Sequence, residues 1–138
     1  GRGVAKDLKK AAALFKRGCD LDDGLGCFEY GLACQEALGV AANEPEAITW
    51  FTRGCELKEL RACRELERAR LIGRGLSADP AEAVKNLDAL CTQGEGNSCG
   101  ILGDVWHDGL GVTADVQKAA DAYQRACALG INEACPHE

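Results

Sequence analysis

The chain has 138 residues, 46% of them hydrophobic and 28% charged, with a formal net charge of −6. That composition excludes an intrinsically disordered chain, and the length sets a single domain with a modest core. The acidic balance argues against general nucleic-acid binding, which needs a basic face to displace counterions, and no apolar run is long enough to insert in a membrane.

The opening residues, Gly1-Arg2-Gly3-Val4, show no leader-type apolar stretch and read as part of an inter-helix loop. A first helix is predicted over 7–19: Asp7 suits an N-cap, and Ala11, Ala12, Phe15 and Cys19 recur at helical spacing. A turn at Leu21-Asp22-Asp23-Gly24 leads to a second helix over 24–36 with Cys27, Tyr30 and Cys34. The third, over 43–55, starts at Asn43 with Pro45 in its first turn and Glu46 at capping-box spacing. A fourth over 60–72 runs into Gly73-Arg74-Gly75, glycine being suited to the left-handed residue that closes a helix. The fifth, over 79–91, repeats the cap with Asp79, Pro80 and Glu82. The sixth, over 96–108, carries Cys99, Leu102 and Trp106 and closes at Gly109-Leu110-Gly111. The seventh runs over 115–127, and a stub begins near 132. Aromatics make up only 5% of the chain, so the core is expected to be thin and Ala-lined.

These elements recur with a period of 36 residues. Cys19, Cys55, Cys91 and Cys127 form one column, and Cys27, Cys63, Cys99 and Cys135 another. Gly3, Gly39, Gly75 and Gly111 keep the register, as do Ala11, Ala47, Ala83 and Ala119. A fixed period of this size marks stacked helix hairpins, each too small to bury its apolar face alone. The fold class is therefore all-α: one α-solenoid over 1–138, a right-handed superhelix of about four hairpins, read as a segment of a longer array.

Each C-x7-C pair joins the end of one helix to the start of the next. In an antiparallel hairpin those positions are neighbours, as a disulfide requires. Reduced buried thiols and zinc are the rival readings, although structural zinc favours tighter C-x2–4-C pairs. Disulfides imply an oxidising compartment, secreted or periplasmic. Cys34 stands outside the framework, since Arg70 and Trp106 occupy its column; it reads as a buried or half-buried free thiol, with an intermolecular bridge or a reactive thiol as the alternative.

The segments from Gly3 to Ala11 and from Leu102 to Val112 resemble Sel1-like repeats, relatives of tetratricopeptide repeats. The stretch from Gly18 to Phe28 is similar to the cysteine-rich Sel1-like proteins secreted by Helicobacter. The resemblance implies hairpin disulfides and adaptor or scaffold work on proteins or peptides. It also implies, through some cysteine-rich members, weak β-lactam binding or hydrolysis. Glu67, where Gly31 and Gly103 stand, and Asn86-Leu87, where Trp50-Phe51 stands, depart from the pattern and are expected to loosen local packing.

No catalytic or cofactor motif is legible, and no metal or cofactor is expected. Ser77 and Ser98 lie in neither S-x-x-K nor G-x-S-x-G. Asp104, His107 and Asp108 share a helix face but read as a solvated helix end, and His137 lies in the terminal tail. By analogy with tetratricopeptide repeats, the helix opened by the second cysteine lines a concave face. Its candidates are Leu25, Phe28, Leu32 and Gln35, then Arg61, Arg64, Arg68 and Leu71, then Asn97, Gly100, Asp104 and His107. The arginine stripe suggests an acidic peptide or a carboxylate as ligand. Its plain alternative is a solvated face paired with Glu65 and Glu67. The function expected is a protein- or peptide-binding scaffold, with a weak β-lactam hydrolase and a structural spacer as alternatives.

Overall fold

The structure, a computed structural model, describes residues 2–136 and is built of helices, with no strand among them. The helices are α1 (Arg2–Asp20), α2 (Gly24–Glu36), α3 (Glu44–Glu56), α4 (Leu60–Ile72), α5 (Pro80–Thr92), α6 (Gly96–Asp108) and α7 (Val116–Ala128), followed by a 3₁₀ turn, Asn132–Ala134. Each helix packs on the next, and α2, α4 and α6 also touch one another in sequence, giving an α-solenoid.

The caps follow the repeat. Asn43 and Asp79 accept hydrogen bonds from the backbone N–H of Glu46 and Glu82, and Asp115 from those of Gln117 and Lys118. The glutamates do not reach back as in a full capping box. Glu46 instead accepts from Trp50 Nε1 and Glu82 from Asn86 Nδ2, one turn on. The cap residues also clamp the loop, because their own N–H groups donate to Cys34, Arg70 and Trp106 carbonyls at 2.7–2.8 Å.

Asp7 is the exception. The sequence suggests a loop up to it, yet α1 already begins at Arg2.

The four C-x7-C pairs are disulfides, with sulfurs 1.93–2.00 Å apart and Cα atoms 4.5–4.8 Å apart. Sulfurs bonded to each other are not available to zinc. Loop-closure entropy assigns each bridge about 2–3 kcal/mol. Cys34 is a buried free thiol.

The core is not uniformly Ala-lined. Five aromatic residues gather in the N-terminal half, where Phe28, Tyr30 and Phe51 are buried and Phe15 and Trp50 pack against them. Trp50 meets Tyr30 edge to face at 5.0 Å. The C-terminal cluster is aliphatic, around Leu87, Leu102 and Val105. Scarce aromatics were thus concentrated, not diluted.

The two departures from the repeat compensate each other. A Cβ on Gly31 would run into the ring of Phe51, and one on Gly103 into the ring of Tyr123. In the intervening repeat the register sets Leu87, which has no ring, opposite Glu67. Glu67 stays buried and accepts from Arg70 Nε at 3.0 Å, so packing there is preserved, not loosened.

Candidate functional site

Two junctions between second helices differ in how they are filled. Between α2 and α4, the Arg61 and Arg64 guanidiniums lie 5.1 Å and 5.9 Å from the Phe28 ring centre. Cation–π attraction and apolar contact close that space. One period on, between α4 and α6, Arg64 takes the place of Phe28, and Asn97 and Gly100 take the places of Arg61 and Arg64. These side chains are too short to cover the gap, and a Cβ on Gly100 would meet nothing within 4 Å. A cleft of about 430 Å³ results.

One wall of the cleft is Arg64 and Arg68 on α4; the other is Asn97, Gly100, Ile101 and Asp104 on α6. Tyr123 of α7 and Ile131, Glu133 and Ala134 of the last turn complete it. Arg64 is held by Glu65 at 3.4 Å and Glu95 at 3.2 Å. Glu95 also caps α6, accepting from the Ser98 N–H and hydroxyl at 3.0 Å each. One carboxylate therefore ties the start of α6 to the middle of α4. Tyr123 donates its hydroxyl to Asp104 Oδ1. Burial, then the Asp104 carboxylate, pushes the Tyr123 phenol up to about 12. The phenol thus remains a proton donor at neutral pH and orients Asp104.

The family described as Sel1 repeat matches residues 1–23, 24–59, 67–95 and 98–131. The chain belongs to the Sel1-repeat family. A Sel1 repeat protein from Oxalobacter formigenes superimposes with a TM-score of 0.82 and 26% identity over 94% of this chain and 53% of that one. Helicobacter pylori cysteine rich protein B follows at 0.68 and 28%, over 96% and 95%. A protective antigen of uropathogenic Escherichia coli with the same fold gives 0.73 and 17%, over 89% and 26%. The chain thus spans about half of the Oxalobacter protein and about a quarter of the E. coli antigen. No curated protein sequence matches it.

A Sel1-repeat solenoid is a scaffold fold typical of proteins that work through protein interactions. Its four disulfides place this one in an oxidising space. Among the described residues no helix is long and apolar enough to cross a membrane.

The Sel1 framework brings together Arg64, Arg68, Asn97, Gly100 and Asp104 from the sequence-derived list. It separates the others. Phe28 is 6% exposed and lies under the two arginines. Leu32 is half-buried against the N-terminal core, and Gln35 is buried, its carbonyl accepting from Arg74. Leu71 joins the C-terminal core, because α5 packs across the end of α4. His107 is exposed, bonds Asp108 at 2.8 Å and lies outside the cleft.

Nor are the arginines free. Arg61 pairs with Glu59 and Arg68 with Glu65, while Glu67 turns to Arg70 instead of to the stripe. Arg68 and Arg61 keep 54% and 46% of their side chains exposed, and of these two Arg68 lines the cleft.

Sequence reasoning missed Ile101, Tyr123, Ile131, Glu133 and Ala134. Two signals were available. Tyr123 is the one hydroxyl in the column Phe15, Phe51, Leu87, and Ile131 the one apolar residue in the cap column Asp23, Glu59, Glu95.

Proposed function

We propose that residues 1–138 form one unit of about four repeats, a secreted or periplasmic module that holds a peptide segment of another protein in the α4–α6 cleft. The observation that carries this reading is Gly100 in the column of Phe28 and Arg64. There the solenoid leaves open a space that it fills one repeat earlier. Asn97 supplies an amide able to donate to and accept from a peptide backbone, and Ile101 and Ile131 supply apolar wall. An open concave cleft with a few convergent polar groups is the usual form of a binding site.

Gly100→Leu tests it. A Cβ at this position meets nothing within 4 Å, and replacing a helical glycine favours the fold. The variant should stay folded and lose capture of partners from periplasmic or secreted extract. Unchanged capture would move the binding surface elsewhere. The hydrolase alternative draws no support from Ser98, which is 0% exposed and bonded to Glu95.

A further inference from the structure

We infer that the cleft receives the side chain of a lysine or arginine, so that the partner is a basic peptide segment. This rests on the peptide-binding reading above and specifies its chemistry.

The cleft's two cations are already engaged. Arg64, with 11% of its side chain exposed, sits between Glu65 and Glu95, and Arg68 shares Glu65. The carboxylates of Asp104 and Glu133 are left over on the opposite side. Both are exposed. Asp104 receives the Tyr123 hydroxyl, a neutral donor that fixes its orientation without supplying a counter-charge. No ion pair to Glu133 occurs among the described residues.

Ile101, Ile131 and Tyr123 line the same cleft as these carboxylates. Apolar walls below a carboxylate rim suit a side chain with an aliphatic stem and a cationic head, and the tyrosine face adds cation–π attraction. The exposed part of Arg68 stands across the cleft and would receive main-chain carbonyls of such a segment, while the Asn97 amide, on the same α6 wall as Asp104, would meet its main chain from the other side. The whole chain carries −6, which steers a basic partner inward and an acidic one away. The arginine stripe alone suggests the opposite ligand charge; internal pairing of each arginine reverses that expectation.

The test is fluorescence anisotropy with two labelled peptides of Ala and Lys or Ala and Glu, on the wild type, Asp104→Asn/Glu133→Gln, Arg68→Ala and Gly100→Leu. The lysine peptide should bind about tenfold more tightly than the glutamate peptide, and the double neutralisation should remove about tenfold of its affinity. Arg68→Ala should leave that preference in place. Equal binding of both peptides, preference for glutamate, or indifference to the double neutralisation would overturn the inference. In those cases the peptide reading survives if Gly100→Leu still abolishes binding. Binding of neither peptide to the wild type overturns both.

Discussion

Between α2 and α4 the Phe28 ring lies under two guanidiniums; one period on, between α4 and α6, Arg64 lies beside a glycine and an open cleft. The frames are alike. Both junctions have a cap clamped to the preceding helix, a disulfide at the hairpin and a left-handed residue closing each second helix. The difference resides in two columns of side chains that the frame does not use. A repeat frame of this kind opens a cleft by leaving a position unfilled, and close packing of the surrounding helices keeps the gap from collapsing.

The strongest way to break the contrast is Phe28→Ala. It should cost about 3 kcal/mol in denaturant unfolding and create a second cleft in the α2–α4 junction. A loss below about 1 kcal/mol would mean that the arginines fold down and seal the gap. Gly103→Ala is next. The new methyl meets the Tyr123 ring, so a loss of about 2 kcal/mol is expected. Tyr123→Leu on the same chain should restore most of it, copying the Glu67–Leu87 solution. A double-mutant cycle without coupling would refute that pairing.

Smaller effects sharpen the comparison. Gly100→Leu should raise stability by up to about 1 kcal/mol while closing the cleft. Ala37 closes α2 at φ 56°, where Gly73 and Gly109 close α4 and α6. Ala37→Gly should therefore raise stability by about 0.5–1 kcal/mol, read as a higher Tm. The least energetic test is spectroscopic. The Tyr123 phenol holds its proton to about 12, above the ordinary value of 10.0. The folded state then binds more protons than the unfolded state across that interval, so stability falls as pH rises from about 10 toward 12. Tyr123→Phe should remove the upper step of the tyrosine absorbance titration.

Sequence spacing makes the hairpins legible because caps, glycines and cysteines act locally: α2, α4 and α6 fall at the predicted residues, and α3, α5 and α7 lie one residue later. The start of α1 is not legible: Asp7 stands in the cap column, yet α1 already begins at Arg2. The site was half legible. Columns indicate which positions vary but not whether a varied side chain lies on the surface or under a neighbour. Leu71 and Gln35 share a column with exposed His107 and are buried. Tyr123 and Glu133 belong to elements outside the helix being counted, so only the packing of α7 on α6, and of the last turn on α7, brings them in.

Each staple closes between cysteines eight positions apart, so oxidation can proceed hairpin by hairpin as a nascent polypeptide emerges. Cys34 introduces one local competitor, because it follows Cys27 by only seven positions. Within a helix that interval spans about 10 Å, beyond the reach of a sulfur–sulfur bond. Correct cross-linking of the first hairpin therefore depends on α2 coiling before the oxidant arrives, which makes the order of those two events a determinant of folding yield.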